Sequence, residues 1–371
     1  MNNDMSEYQY YEFRTDGRKL DSEARSVLKE LSSRAIITPT QAIYTYSYGD
    51  FRYDDKEILA DYFDMMLYMN SFGTRRLTFR LPVDLIEHSK IDPYCIPDVI
   101  FYSVHGESLI LDLCIYDEEG GGWIEGDGVL DDLAPIRQQL LNGDLSTLYI
   151  AWLAAAQYYH VEDEEIEPPI PDNLKQLSPE LKALVSYFEL DTELVHVAAE
   201  ASRDVDIKAS EINSMISQLP EEEKTMFLVG FMHNTPDLHI KLKRRLQDFV
   251  EAHNQIDLSL PRRTRAQLIN QADNLTKLVQ EKIENEKRVS RVKELQLLAI
   301  NEPAIWQEVN NSIQSKTQAG YKHAIKLLGD LRELAIYMNK TDQFERKMIE
   351  IRKEFSRLSS FMRLLYECEL V

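Results

Sequence analysis

TRAQLINQADNLTKLVQEKIENEKRVSRVKELQLLA, Thr264–Ala299, contains neither glycine nor proline. Thr264 followed by Gln267 is a capping box: the hydroxyl accepts from a backbone amide of the first turn while the Gln side chain reaches back, so the start is encoded locally. Leu268, Ala272, Leu275, Val279, Ile283, Val289, Val292 and Leu295 then recur at three- and four-residue steps. They draw one apolar stripe along a helix roughly 54 Å long at about 1.5 Å per residue. A stripe that narrow has to pack against something. Lys282, Asn285 and Glu286 interrupt it, which favours a helix lying across other helices of the chain over a strict two-stranded coiled coil. Pairing with a second molecule is the alternative, and Leu268, Leu275, Val279, Val289 and Val292 are the residues expected to meet the partner.

The chain on either side of this helix differs in charge. Residues 1–172 carry 33 acidic and 13 basic side chains, whereas residues 241–371 carry 18 and 24, within a net charge of −21. A protein this negative repels nucleic acid non-specifically, so any such contact is confined to the C-terminal third. Two basic clusters stand there, Lys241, Lys243, Arg244 and Arg245 in KLKRR, and Arg262, Arg263 and Arg265 in PRRTR. Placed side by side they would form an edge for phosphates.

At 371 residues and 44% hydrophobic content the chain has enough material for two or three cores. It holds no apolar run of 18 or more residues, and the opening MNNDMSEYQYYEF lacks a basic segment followed by an apolar one. The expectation is a soluble, cytoplasmic protein that does not engage membranes. Cys95, Cys114 and Cys368 are too scattered for a disulfide framework or a four-ligand zinc site, and read as small buried hydrophobes.

Before the helix, the first segment mixes strand and helix patterns. Tyr8–Thr15 alternates as a strand, Asp21 caps a helix through Ser33, Ile36–Tyr48 is β-branched and aromatic, and Lys56–Asn70 reads as a second helix. Arg75–Leu81 is the clearest strand: Arg75, Leu77, Phe79 and Leu81 share one face, Arg76, Thr78 and Arg80 the other. Val99–Val104 and Leu109–Ile115 are joined by a turn at Gly106. This order predicts an α+β fold whose helices lie on one face of the sheet. Tyr44, Tyr46 and Tyr48 on one strand side, with Arg76 and Arg80 on another, could stack bases, but an aromatic ladder under neighbouring helices is the favoured reading.

The loop DEEGGGWIEGDG, Asp117–Gly128, concentrates carboxylates and glycines but lacks the ligand spacing of a calcium loop. His233 and His239 do not share a helical face as a zinc pair would. No cofactor or metal is expected. VEDEEIEPPIPDN, Val161–Asn173, is the best boundary, an acidic run followed by prolines that cannot continue a helix. The expected organisation is an α+β domain over 1–160, an acidic proline-rich linker over 161–178, a helical domain over 179–260, and the long helix with a helical-hairpin tail over 261–371.

Through YYEF (Tyr10–Phe13), LSSRAIITPT (Leu31–Thr40), GDF (Gly49–Phe51), YFDMMLYMNSFGTRRLTFRLP (Tyr62–Pro82), IEPPIP (Ile166–Pro171) and AAEAS (Ala198–Ser202), the first 200 residues resemble a family of uncharacterised bacterial proteins, a likeness that carries no activity. The tail, with Trp306, Val309, Ile313 and Lys316, then YKHAIKLLGDLRELA and FERKMIEIRKEF, is similar to the helical C-terminal region of bacterial SWIM-type zinc-finger proteins. The zinc motif of that family is absent, so the likeness implies only a helical interaction tail.

The leading expectation is a non-enzymatic interaction or scaffold protein, a subunit or adaptor of a bacterial multiprotein complex, with protein partners that include a second copy through the long helix. One alternative is an accessory nucleic-acid-binding factor using residues 241–265. Another is an enzyme with a dispersed site around Arg76, Arg80, Tyr46 and the Asp117–Asp127 loop.

Overall fold

The computed structural model describes residues 8–47, 49, 51–117, 126–205, 209–233, 235, 237–253, 262–368 and 370. Among them, β1 (Gln9–Arg14), β2 (Ile36–Ile37), β3 (Gln41–Tyr46), β4 (Met65–Asn70), β5 (Thr74–Pro82), β6 (Ile100–His105) and β7 (Ser108–Tyr116) form one sheet in the order β2-β3-β1-β4-β5-β7-β6. Every neighbouring pair is antiparallel. The helices are α1 (Ser22–Glu30), α2 (Asp55–Tyr62), α3 (His88–Ile91), α4 (Val129–Leu133), α5 (Pro135–Leu141), α6 (Ser146–Gln157), α7 (Pro179–Tyr187), α8 (Thr192–Glu200), α9 (Ala209–Gln218), α10 (Glu221–Met232) and α11 (Leu238–His253). They are followed by the long α12 (Arg265–Ile300), then α13 (Glu302–Gln314), α14 (Gln318–Tyr337), α15 (Thr341–Glu354) and α16 (Ser359–Glu367). The fold is α+β.

Period-two alternation places the residues of β5 as the sequence predicts. Leu77, Phe79 and Leu81 join Leu109, Leu111 and Leu113 of β7 and Met65, Leu67 and Met69 of β4 in a core covered by helices α4 to α8. Within it α6 is buried from Ser146 to Ala156 on every side, as its almost wholly apolar sequence requires. The opposite face is covered as well. Phe13, Tyr44 and Met66 pack there against Leu28 of α1 and Ile58 and Leu59 of α2, so helices lie on both faces rather than one.

The helix expected over Lys56–Asn70 is corrected. It ends at Tyr62, Phe63 turns extended, and Met65–Asn70 becomes β4, between β1 and β5. Met65, Met66, Leu67 and Met69 are all buried. An uncharged apolar run covered on both faces suits an inner strand, and tertiary placement here overrides the helix propensity of Met and Leu.

The chain divides into two compact units, residues 1–275 and 276–371. The acidic, proline-containing segment 161–178 lies inside the first. In the second, Trp306, Val309 and Ile313 of α13, Tyr321, Leu328 and Leu331 of α14, Phe344 and Met348 of α15, and Phe361 and Leu365 of α16 share a core with Leu295 of α12.

Candidate interaction surface

The start of α12 is held by what the sequence places around it. Gln267 Oε1 accepts from the Thr264 amide at 3.0 Å, and the Gln267 amide donates to Thr264 Oγ1 at 3.3 Å, which is the capping box in both directions. Ahead of it, Ile166 bridges Thr264 antiparallel, and the amides of Glu167 and Arg265 donate to the carbonyls of Arg263 and Glu165. Glu167, 1% exposed, accepts from the Arg263 amide at 2.8 Å and from its guanidinium at 2.9 and 3.0 Å, while Tyr149 donates to the same carboxylate at 2.7 Å. A buried carboxylate survives only when its lone pairs are filled this way. Residues 163–167 therefore fasten the helix start.

The five residues expected on the partner-facing stripe separate into two groups. Leu268 is 0% exposed and belongs to the first unit's core with Ala272, and Leu275 packs against that core. Leu268 is not a docking residue, because its own chain covers it. Beyond Thr276 the situation reverses. Every residue from Lys277 to Ser290 is exposed, including Val279 and Val289 from the expected set and also Leu278 at 63% and Ile283 at 45%. Val292 is half-buried. Own-chain packing resumes at Leu295, and Arg291 donates to Asp330 of α14 at 2.6 Å and Glu333 at 2.8 Å.

The basic residues are placed differently from a phosphate-binding edge. Arg244 donates to the carbonyls of Leu141 and Leu140 at 2.6 and 2.9 Å, and Arg245 forks onto Glu223 at 2.8 and 3.1 Å. Arg263 is committed to Glu167 and to the carbonyls of Val197 and Ala198. Arg265, nearly buried, donates to the Ala156 carbonyl at 2.7 Å, pairs with Asp163 and lies over the Tyr159 ring. Lys241 reaches Asp84 at 3.1 Å, and Arg262 meets the Glu167 carbonyl at 3.4 Å. Lys243 is exposed.

In the front sheet, Arg76 grips Asp112 through two bonds of 2.7 Å and Asp55 through one of 2.8 Å, with Lys56 at 3.1 Å from Asp112. Arg80 bonds Asp64 at 2.6 Å. Burial raises the Asp64 carboxyl, but the Asp16 amide and the guanidinium groups of Arg80, Arg137 and Arg18 outweigh it and hold the group below its usual range. Burial dominates at Glu12, whose carboxylate accepts from Gln41 at 2.5 Å and Tyr10 at 2.8 Å, and pushes it up. Cys114 is pushed up to about 11 by burial, a thiol rather than a thiolate at neutral pH. Tyr44 is fully covered and donates to the Leu28 carbonyl at 2.9 Å, and Tyr46 stands edge-on to Tyr11. These are the contacts of a half-covered aromatic ladder. Tyr48 and most of the Asp117–Gly128 loop, residues 118–125, lie outside the described residues.

Sequence reasoning missed a second exposed apolar face. Met226, Leu228, Val229, Phe231 and Met232 of α10 are all exposed, Met232 at 82%, while Phe227 is buried. Its signal was the run MFLVGFM after EEEKT, apolar around the whole helix instead of along one stripe. Among the described residues no cluster of three or more His, Cys, Asp or Glu side chains is placed to hold a metal, and no helix is long and apolar enough to cross a membrane. No protein-family model, curated protein or solved structure matches the chain.

Proposed function

We propose that this chain is a non-enzymatic interaction protein, a subunit or adaptor of a bacterial cytoplasmic multiprotein complex, and that the middle of α12 is its docking element. One observation carries the reading: from Lys277 to Ser290 the helix is exposed on every side and still bears Leu278, Val279, Ile283 and Val289. Isolated helices shorter than about 12–15 residues are marginal in water. This stretch is held by its anchored ends, and apolar side chains spaced along it serve a partner better than they serve the monomer. The nucleic-acid reading draws less support, since Arg244, Arg245, Arg263 and Arg265 are bonded within the chain. An enzyme at Arg76 and Arg80 likewise draws little, as both guanidinium groups are bonded to sheet and helix carboxylates.

The test is affinity capture of full-length protein from a bacterial host at high salt with nuclease, comparing wild type with the double substitution L278S/I283S. The expected result is a stoichiometric protein partner held by the wild type and lost by the variant. Capture of the same proteins by both would refute the assignment, as would recovery of nucleic acid alone in the absence of nuclease.

A further inference from the structure

The exposed middle of α12 has a property that a docking helix for an unrelated partner would not need. Written as a heptad with Val279, Glu286 and Lys293 at position a, the d positions are Lys282 and Val289, the e positions Thr276, Ile283 and Ser290, and the g positions Leu278, Asn285 and Val292. The remaining b, c and f positions from 277 to 291 are Lys277, Gln280, Glu281, Glu284, Lys287, Arg288 and Arg291, all charged or amide. The b, c and f face is thus wholly polar, whereas the a, d, e and g face holds every apolar residue of the stretch together with two charges in its centre, Lys282 and Glu286, and the uncharged Asn285 and Ser290 on its flanks.

Antiparallel pairing removes that flaw. In such a pair each a residue packs against a d residue of the other helix, and e faces e while g faces g. With the two-fold axis at Glu284, Val279 meets Val289 of the second copy, Lys282 meets its Glu286, and Glu286 meets its Lys282. On the flanks Ile283 meets Ile283, Asn285 meets Asn285, and Leu278 meets Val292. The two charges that interrupt the stripe neutralise each other twice, and every exposed apolar residue between 278 and 292 gains an apolar partner. A parallel pair would oppose Lys282 to Lys282 and Glu286 to Glu286, which is repulsive. Over Lys277–Ser290 the face is also uncovered by its own chain, every residue there being exposed; α14 meets α12 at Arg291, an f position, and at Gln296, a d position beyond the paired segment, and the second unit's core takes Leu295, a c position.

We infer that α12 mediates self-association of this chain, two copies crossing antiparallel about Glu284 through residues Leu278–Val292, with reciprocal Lys282–Glu286 pairs setting the register. The inference rests on the docking reading above and names a second copy as the occupant.

Sedimentation equilibrium of the full chain tests it by charge exchange. K282E and E286K each place two like-charge pairs in the centre and raise the dimer dissociation constant on the order of tenfold or more. The two single variants mixed together, and K282E/E286K alone, regain opposite charges at both places and return to the wild-type constant. Circular dichroism of each variant stays that of the wild type, because both side chains are exposed. In a C95S/C114S/C368S background, nitroxide labels at E284C lie nearer to their mates than labels at K277C, whose axial separation is roughly 21 Å in an antiparallel pair; equal distances at the two sites mean parallel pairing and overturn the inference. It is also overturned if the wild type is monomeric at every concentration or if the double exchange fails to restore association. A monomeric wild type that still loses captured proteins with L278S/I283S overturns self-pairing and leaves the docking reading standing; a dimer with no such loss does the reverse.

Discussion

Leu268 and Ile283 stand about four turns apart on one unbroken helix, continue the same apolar periodicity, and meet opposite fates. Leu268 is sealed in the core of the first unit, whereas Ile283 is 45% exposed. The helix start is fastened by a capping box, a short bridge and the Glu167–Arg263 pair, and the middle has none of these. The difference teaches that a stripe at helical spacing states that a face is to be covered without stating by which molecule.

The largest effect separating the two regions is expected at Leu268. Leu268→Ala removes a fully buried side chain from a packed core and costs about 2–5 kcal/mol. In chemical denaturation the transition of the first unit then moves to markedly lower denaturant. A cost near zero would mean that the first turns of α12 are docked no more firmly than its middle.

The helix was legible to within a residue at each end because its determinants are local: Thr264 and Gln267 fix the start, and the absence of Gly and Pro lets it run. The alternation of β5 was legible for the same reason. What depends on other parts of the chain was not. Met65–Asn70 has the composition of a helix and becomes an inner strand only because β1 and β5 flank it. Arg263 and Arg265 read as a phosphate-binding edge because charge is visible in sequence while the buried acceptors, Glu167 and the Ala156 carbonyl, are far away along the chain. At the surface itself Val279, Val289 and Val292 were legible from periodicity, but Leu278 was not, as it lies one step outside the stripe and matters only once exposure is known.

Burial of a charge sharpens the contrast in the next smaller effect. Glu12 sits in the first unit with its folded-state pKa raised, burial being the main cause. Its contribution is fully present below the unfolded glutamate value of about 4.3 and is lost as pH climbs through the higher folded value. Glu12→Gln keeps an acceptor for Tyr10, and rotation of the Gln41 amide gives the new NH2 group an acceptor. Thermal melts of the wild type between acid and neutral pH should show that decline and the variant should lack it; an unchanged slope would mean that other groups govern the pH response of this unit.

The smallest effect is expected at Ile283 and is the most demanding of the comparison. Ile283→Ala removes a side chain that belongs to no core of the monomer, and alanine is the better helix former by a few tenths of a kcal/mol. Measured at a dilution where the protein is monomeric, stability should stay within about 0.5 kcal/mol of wild type. At concentrations where the chain associates, the same substitution should weaken association, because Ile283 lies at the two-fold axis. The pairing of those two results matters more than either alone: a side chain that is silent in the monomer and costly in the assembly is placed for the assembly. A monomer loss comparable to that at Leu268 would show that the chain itself covers Ile283, and would erase the distinction between the two ends of the stripe.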